Sequence, residues 1–420
     1  MKHPLNDASS ILHENLTIAT KNGLILIDNI YRGIAVCGKP DSQEVRDILI
    51  SIIDTLIKKE CSLCVFDSQF PWLTKELDKI TSNSAKQSLP NPFYYLLDLC
   101  DTEHSIRINP IHPDRIKSLM DAYYAADRLV QSMSVPKEGN VCGYSYFHES
   151  SVIFLSAVIY YLIKHKPSLA DLPHVFRLIV DSADRMSLLG IMMKDVELEK
   201  HLRIFRPAFM NKDYCMLEGM TGELRVRLSK MLSVEACWVF SGDKLPERVM
   251  KGNQYMPLRL IIANHPNQTD LDPWAYVPWF NFIVSYMTEY FTHEHQHNHT
   301  GKAVIVEGVD QLFIPKLLKA IGLARSSDTS LILNPIYQSN LRQRYGFDEL
   351  GTILQTSARN PRITQRGTSY SSETISPEQD RSSHERRLQA NYNRIKKEIQ
   401  ELVYTENKRV LAHHSELRTR

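Results

Sequence analysis

Residues 31–67 decide the fold of this chain, and they read YRGIAVCGKPDSQEVRDILISIIDTLIKKECSLCVFD. Residues 31–37 form an apolar run that predicts a β-strand, and the polar residues 38–42 break it. Residues 44–59 repeat apolar side chains at the spacing of an amphipathic helix, and residues 61–66 predict a second, buried strand. Strand, loop, helix and strand in this order predict a βαβ unit with a parallel sheet.

The chain beyond this unit divides into two kinds of sequence. Residues 114–235 show long helical periodicity with few turn signals, which predicts an all-α segment. Strand signals return after it, so we expect one α/β domain, built from residues 1–113 and 236–355, that the helical domain interrupts. The later strands are predicted at residues 238–240, 258–263, 303–306 and 330–333, and the later helices at residues 278–290 and 315–324.

The C-terminal part changes character again. Residues 356–384 are rich in Ser, Thr, Arg, Pro and Gly and predict a linker, and residues 385–420 predict a basic helix. Residues 381–420 hold ten Lys and Arg against five Asp and Glu. This helix either packs on its own domain or binds a partner, for example as a short coiled coil. Its apolar seam consists of Leu388, Tyr392, Ile395, Ile399 and Leu402.

The composition is that of a soluble globular protein. The chain has 420 residues, 50 Lys and Arg, 48 Asp and Glu, and a formal net charge of +2. This length predicts two or three domains. The balanced charge argues against a surface built throughout for nucleic acid, while a local basic patch stays open. Cys61 and Cys64 form a C-x-x-C without a second pair at zinc spacing, so we expect them to be structural.

No stretch of the sequence predicts export or membrane insertion. The N-terminal residues lack the apolar core of a signal peptide. The longest strongly apolar run, residues 152–163, is shorter than the roughly 20 residues that span a bilayer. We therefore expect no transmembrane segment. The expected location is the cytoplasm, with a peripheral position at the inner membrane reached only through partners.

The loop between the first strand and its helix is where a βαβ unit binds phosphate. A working phosphate-binding loop reads G-x-x-x-x-G-K-[ST], in which glycines expose backbone N–H groups, lysine contacts phosphate and the hydroxyl residue holds magnesium. Here residues 38–45 read GKPDSQEV. The first glycine is Gly38, but Gln43, Glu44 and Val45 replace the second glycine, the lysine and the hydroxyl residue.

The charges of this loop are wrong for a triphosphate. Asp41 and Glu44 place two carboxylates where the phosphates would lie, and the Val45 side chain cannot ligate magnesium. Lys39 is a cation, but it lies on the other side of the loop. The sequence therefore predicts a degenerate nucleotide site in this loop. Its members are Gly38, Lys39, Ser42, Glu44 and Val45.

The sequence around this loop resembles the TraG/TraD-type coupling proteins of type IV secretion and conjugation, most closely their Bacteroidetes TraG-like branch. The resemblance runs from about residue 29 to residue 346 and depends on the order and spacing of short motifs. They are YRGI at 31–34, VFDSQFPWLT at 65–74, RINPI at 107–111, ESSVIFLSAVIYYL at 149–162, LPHV at 172–175, WVFSGD at 238–243, ANHPN at 263–267, LARS at 323–326 and LRQRYG at 341–346.

This resemblance implies a RecA-like P-loop NTPase fold interrupted by an all-α domain. The family is known for hexameric motor ATPases, usually anchored by N-terminal transmembrane helices, that bring protein or protein–DNA substrates to a secretion channel. In the family, one strand ends with Asp-Glu, in which the Asp orders magnesium and the Glu polarises the attacking water. This chain has Glu307 and Gly308 at the two positions. The family's glutamine after the next strand aligns with Ile336. Only Arg325 matches, at the place of a trans-acting arginine, and a cation at a helix end or in a surface ion pair is the commoner meaning of such a lone residue.

A histidine-rich stretch precedes the strand at residues 303–306. In an extended chain its alternating side chains share one side, where a divalent metal can bind two of them. A polar surface loop is the commoner meaning of such a tract, so we predict no metal site. The histidines are His293, His295, His297 and His299.

Acidic and aromatic groups carry less information. Nothing in the spacing of Asp67, Asp101, Asp270 and Asp272 demands acidic pairs. The aromatic cluster predicts core and the start of a helix, or alternatively a subunit interface. It consists of Trp274, Tyr276, Trp279, Phe280 and Phe282.

These features favour a protein that keeps the framework of a coupling protein and has lost its motor residues. The first hypothesis is a catalytically degenerate scaffold or substrate adaptor of a bacterial secretion or conjugation apparatus, without a cofactor. One alternative is an active motor that binds ATP and magnesium through Lys39 and Glu307. Another is an adaptor that binds nucleic acid through its basic tail. Partners are then proteins of the apparatus, and a homo-oligomer stays open.

Overall fold

Alternating apolar strands and amphipathic helices build a layered α/β fold around one parallel sheet. The structure is a computed structural model. It describes residues 16–20, 23–27, 30, 33–39, 42–85, 93–134, 146–182, 185–243, 250–251, 254–255, 257–293, 301–324, 327–341, 344–345 and 381–418.

The main sheet joins strands from both ends of the chain. The described strands are β1 (Leu16–Thr20), β2 (Gly23–Ile27), β3 (Ile34–Ala35), β4 (Ser62–Asp67), β5 (Phe93–Asp98), β6 (Met250–Lys251), β7 (Gln254–Tyr255), β8 (Leu258–Ala263), β9 (Lys302–Glu307) and β10 (Thr329–Asn334). Six of them form one sheet in the order β3, β10, β9, β4, β8, β5, and every pair in it is parallel. Of the residues predicted as a strand at 31–37, β3 includes only Ile34 and Ala35. The strand β5 was not predicted from the sequence.

The described helices lie on both faces of this sheet and in the insert. They are α1 (Gln43–Lys58), α2 (Trp72–Ala85), α3 (Leu119–Ser132), α4 (Tyr146–His165), α5 (Leu172–Val180), α6 (Arg185–Met192), α7 (Val196–His201), α8 (Arg206–Met210), α9 (Tyr214–Met231), α10 (Val234–Val239), α11 (Pro266–Thr269), α12 (Pro273–His293), α13 (Leu317–Ala324) and α14 (Arg381–Arg418). This architecture confirms the predicted fold class, a mostly parallel sheet flanked by helices and interrupted by helical sequence.

Each buried strand divides its side chains between two cores, because successive residues of a strand point to opposite faces. In β4, Leu63 and Val65 belong to the core that α1 and the β1–β2 hairpin cover. Cys64 and Phe66 belong to the opposite core, which α12, α13 and the inserted helices share. The helical insert thus packs on one face of the sheet through a continuous apolar core.

The C-x-x-C motif also divides between the two faces. Cys61 belongs to the core under α1, whereas Cys64 belongs to the core under α12. Both thiols are buried and reduced, the Cys61 thiol lies 3.9 Å from the Lys59 carbonyl oxygen, and burial raises the pKa of Cys64. These two cysteines are therefore arranged as core side chains on opposite sides of a strand.

Two predicted elements differ from the structure. Residues 238–240 were predicted as a strand, but Val234–Val239 is a helix that Ser233 caps through a 3.0 Å hydrogen bond from the Ala236 N–H to the hydroxyl. Such a short apolar run fits either element, and the local cap decides. The helix predicted from Pro278 begins at Pro273 instead, and Pro278 lies inside it.

The C-terminal helix α14 packs on its own chain, against α5, α6 and α10. Four of its seam residues, Leu388, Ile395, Ile399 and Leu402, are buried, and the ring of Tyr392 lies 4.1 Å below the Arg177 guanidinium. A polar clamp adds to this contact. It joins Nε2 of the buried His174 to Glu398 at 2.8 Å, while Nδ1 contacts Asp171 at 2.7 Å.

One described helix, α4, is long and apolar enough to cross a membrane by length and composition. However, 61% of its apolar window is buried inside the protein, where it packs on α3, α5 and α9. A core helix can have the same length and apolar character, and α4 packs as a core helix does.

Candidate functional site

A row of polar side chains lies along one edge of the main sheet. All six strands are parallel, so their carboxyl ends meet at this edge, where α/β proteins bind ligands. Neighbouring strands contribute residues in spatial order from β10 to β5. These residues are Asn334, Glu307, Asp67, Ser68, Asn264, His265 and Asp98.

The loop after β3 leads to this edge and into α1. The Val45 N–H donates to the Ser42 hydroxyl at 3.4 Å, so Ser42 caps the helix with its own side chain. Glu44 lies in the first turn, where a carboxylate favours the helix dipole. Gly38 and Lys39 precede the cap, and Lys39 is exposed. A cap and an acidic first turn stabilise this helix without an external anion.

The contact between Gly38 and Val45 is tight. A Cβ built on Gly38 would lie 2.3 Å from a methyl carbon of Val45, so only glycine fits there without a shift. The Val45 side chain in turn packs on the core that α1 covers. An apolar methyl group thus lies against the loop at the position where a working phosphate-binding loop has its hydroxyl.

Glu307 ends β9 and is only 5% exposed. Its Oε2 atom accepts a 2.8 Å hydrogen bond from the Ser68 N–H and a second one from the Ser68 hydroxyl. Burial raises the pKa of Glu307 to about 7, and the neighbouring Asp67 adds to that rise, while the Ser68 hydrogen bonds and Arg46 oppose it. This carboxyl group is therefore engaged by its own chain and titrates near neutrality.

Asp67 ends the neighbouring strand β4 and is fully buried. Its Oδ2 atom accepts 2.8 Å hydrogen bonds from both the N–H and the hydroxyl of Thr74. Burial raises the pKa of Asp67 despite these bonds, and Oδ1 has no hydrogen-bond partner in the described part of the chain. Asp67 and Glu307 thus form a buried acidic pair on adjacent strands.

Gly308 allows the close approach of Ser68 to Glu307. Its φ angle is +69°, and a Cβ at this position would lie 2.6 Å from the Ser68 hydroxyl oxygen. Its N–H donates to the Asn334 carbonyl at 2.8 Å, and the Asn334 amide donates to the Val36 carbonyl at 2.8 Å. The positive φ angle and the close approach of Ser68 therefore favour glycine at this position.

We predict that Gly308→Ala lowers the free energy of unfolding by about 1–3 kcal/mol, because alanine is strained at positive φ and collides with Ser68. The matched control is Gly322→Ala in α13, where an added Cβ meets no atom within 4 Å. That control is expected to be neutral or to stabilise by up to about 1 kcal/mol. Urea denaturation measures both changes, and equal effects at the two glycines would contradict the prediction.

Ile336 lies beyond β10 in a loop that Asp310 organises. The buried Asp310 accepts hydrogen bonds from the N–H groups of Ile336, at 2.7 Å, and Tyr337, at 3.1 Å. Arg46, one residue after Val45, stacks on the Trp72 ring with its guanidinium 4.8 Å from the ring centroid. The Asp310 contacts hold the loop after β10, and the contact of Arg46 with Trp72 joins α1 to α2.

His265 and Asp98 form a polar pair that sequence reasoning missed. Nε2 of His265 lies 2.7 Å from Oδ2 of Asp98, and the His265 ring packs on Phe70. Burial opposes protonation of His265, but the Asp98 contact prevails and raises its pKa. The two residues are 167 positions apart and end the adjacent strands β5 and β8, so only the sheet order brings them together.

Some predicted site residues lie outside the described residues. They are Asp41, Arg325, His295, His297 and His299. His293 is the last residue of α12. Within the described ranges, no group of three or more His, Cys, Asp or Glu side chains is arranged to hold a metal ion.

The comparisons with known proteins give a structural likeness. No protein-family model matches the chain, and no curated protein matches it. The bacterial conjugative coupling protein TrwBdeltaN70, in its unbound monoclinic form, is similar with a TM-score of 0.51 and 14% identity over 82% of this chain and 71% of that one. Its trigonal form in complex with sulphate is similar with the same TM-score and identity, over 78% and 68%. At this identity the likeness shows the fold, which is the predicted RecA-like P-loop NTPase fold.

Proposed function

We propose that this chain is a catalytically degenerate, coupling-protein-like component of a bacterial secretion or conjugation apparatus, of the TraG/TraD type. In this proposal it acts as an assembly scaffold or substrate adaptor, in the cytoplasm and at most peripherally at the inner membrane. Its partners are proteins of the apparatus. The fold likeness to a conjugative coupling protein and the motif order along the chain support this assignment.

The observation that carries the degenerate function is the loop around Gly38. Val45 packs its methyl group against this glycine, and Ser42 uses its hydroxyl to cap α1. Glu44 adds a carboxylate in the first helical turn, which repels phosphate. These residues do not fit a magnesium triphosphate, whose phosphates need free N–H groups, a lysine and a hydroxyl ligand.

The Glu307 side of the site supports the same proposal. A magnesium-ordering carboxylate has to be ionised and available, whereas burial holds the pKa of Glu307 near 7 and Ser68 donates twice to its Oε2 atom. The next residue, Gly308, has no side chain for water activation, and its backbone tolerates none. The residues at both parts of the family's nucleotide site, the loop around Gly38 and the pair Glu307–Gly308, are therefore engaged in contacts within this chain.

Nucleotide binding and hydrolysis by the purified full chain test the degenerate function. Titration calorimetry with ATP and magnesium is expected to show no binding, and phosphate release is expected to stay at background. Magnesium-dependent ATP turnover that survives Glu307→Ala would sink the proposal. Turnover that Lys39→Ala abolishes would instead establish the active-motor alternative.

A rebuilt loop serves as the matched gain-of-function control. The triple variant Gln43→Gly, Glu44→Lys, Val45→Thr restores the G-x-x-x-x-G-K-[ST] pattern. ATP affinity that appears only in this variant would identify these side chains as the cause of the loss. Cross-linking and mass spectrometry of the tagged chain in its native cells tests the scaffold role, which requires secretion or conjugation proteins among the partners.

Nucleic acid is a second candidate partner, because α14 packs through its apolar seam and leaves its cations exposed. Arg386, Arg387, Lys396 and Lys397 are exposed on this helix. DNA affinity should then fall steeply with salt. Replacing these four residues by Gln keeps the seam intact, and unchanged DNA binding in that variant would exclude the tail as the binding surface.

A further inference from the structure

Two adjoining clefts lie between α3, α12 and α13, away from the carboxyl edge of the sheet. One has a volume of about 350 Å³ and the other about 300 Å³. Tyr124 and Glu289 line both clefts, so the two spaces meet at this pair of residues. Together they form an elongated site that neither the fold comparison nor the acidic pair explains.

The walls of the larger cleft are mainly apolar and aromatic. Ile116, Phe282, Tyr286 and Tyr290 line it, and the Tyr124 ring at the junction is 51% exposed. Clefts of this size with apolar walls and a few convergent polar groups are the usual form of a ligand site. The walls therefore suit the body of an aromatic or aliphatic side chain.

Cations from three parts of the chain converge on these walls. Arg128 of α3 is only 7% exposed and lines the larger cleft, and burial lowers its pKa to about 10. The Arg115 guanidinium lies 4.4 Å above the Tyr290 ring, which holds it at the wall. Lys319 of α13 and Lys316, which directly precedes this helix, line the smaller cleft and are exposed. Lys316 pairs with Asp127 at 2.7 Å and Arg128 pairs with Glu289, so Arg115 and Lys319 provide most of the remaining positive charge.

Glu289 shows which group this arrangement accepts. Its carboxylate contacts the Arg128 guanidinium, and its side chain is 42% exposed at the junction of the clefts. A half-exposed carboxylate thus already lies on the buried arginine. Guanidinium groups bind carboxylates with two parallel hydrogen bonds, and Arg115 offers such a group at the wall of the larger cleft. Lys319 adds a second cation at the wall of the smaller cleft.

We propose that these two clefts bind an extended peptide segment of a partner protein, in which an acidic side chain lies next to an aromatic or aliphatic one. The carboxylate contacts Arg115 and Lys319, and the apolar side chain enters the larger cleft between Tyr124 and Tyr290. Nucleic acid fits less well, because Ile116, Phe282 and Tyr290 give the larger cleft apolar walls that do not match a phosphate backbone. This inference is independent of the proposed function, since it concerns different residues and does not involve ATP.

Fluorescence anisotropy with the full chain tests the inference. The probes are labelled, N-acetylated hexapeptides that each carry Asp or Glu between two aromatic or aliphatic residues, with matched peptides that carry Asn or Gln instead. The acidic peptides are expected to bind at least tenfold more tightly, and less tightly at higher salt. Equal affinity of acidic and amide peptides, or no binding of either, would overturn the proposal.

Variants locate the binding to the clefts. Arg115→Gln and Lys319→Gln should each weaken acidic peptides about tenfold, whereas Glu289→Gln should strengthen them by removing the competing carboxylate. Lys117→Gln is the control, because Lys117 is exposed near Arg115 but lines neither cleft. Lys319 lies on an exposed helix surface, so its variant stays informative if Arg115→Gln fails to fold. If Lys117→Gln weakened binding of the acidic peptides as much as Lys319→Gln, the proposed site would be contradicted. Displacement of the bound peptide by a single-stranded oligonucleotide would contradict it as well.

Discussion

Replacing Trp279 by alanine is expected to lower the free energy of unfolding by about 3–5 kcal/mol. Trp279 is buried in α12 and stacks on Phe240, with ring centroids 3.9 Å apart, and on Phe176 at 5.4 Å. Its Nε1–H donates to the Met231 carbonyl at 3.0 Å. Alanine would leave a cavity between α12 and the inserted helices and would remove one of two hydrogen bonds to the Met231 carbonyl, which keeps the bond from the Ser233 N–H at 3.1 Å. The cavity therefore accounts for most of the expected loss of stability.

Trp274→Ala is the matched control, because it removes the same side chain from the same helix. Trp274 is 57% exposed and contacts Lys230 through a cation–π interaction at 4.9 Å. The expected loss is about 0.5–1 kcal/mol. Urea denaturation followed by circular dichroism gives both values, and a loss at Trp279 no larger than that at Trp274 would show that the stack contributes little.

Replacing Glu307 by glutamine changes the free energy of unfolding, and this change is expected to depend on pH. It should be more favourable at alkaline pH than at pH 5 by about 2–3 kcal/mol. Burial raises the pKa of the folded-state carboxyl group to about 7 from its ordinary value of 4.5. The stability that this raised pKa contributes is fully present below the unfolded-state value and is lost as pH rises through 7. A glutamine side chain at this position would keep an acceptor for Ser68 and would carry no charge. The loss of stability with rising pH would therefore disappear.

The measurement is the free energy of unfolding of both proteins at pH 5 and pH 8.5. Glu307→Met separates charge from hydrogen bonding, because it also removes the charge but leaves the Ser68 N–H and hydroxyl without their acceptor. It should therefore be less stable than the glutamine variant at both pH values. Asp67 keeps its own raised pKa and the same sign of pH dependence in all three proteins. A parallel pH dependence of wild type and Glu307→Gln would refute the role of Glu307.

The order of strands and helices could be predicted because each carries its own period. The apolar alternation of residues 61–66 and the helical spacing of residues 44–59 are local signals, and α1 and β4 lie within two residues of them. The strand β5, by contrast, has exposed and half-buried positions at its start, since it is the last strand of the sheet. Its pattern is correspondingly weak, and its role became visible only through its pairing with β8.

The departures of residues 43–45 and 308 from the family pattern can be read in the sequence, but the contacts around these residues cannot. Glu44, Val45 and Gly308 can be identified in the chain itself. The contacts of Val45 are local, but Gly308 lies against Ser68, which donates to Glu307 from 239 residues away. The polar pair of His265 and Asp98 escaped prediction for the same reason.

The amino-acid sequence by itself determined the succession of elements, the departure of residues 43–45 from the phosphate-binding-loop pattern and the basic C-terminal helix, because these depend on residue type and short-range spacing. Tertiary structure alone decided that Glu307 titrates near neutrality, that Gly308 has to remain glycine, and that α14 packs on its own chain through His174 and the seam. Burial, charge neighbours and close approach are set by residues far apart in the chain, and only folding brings them together.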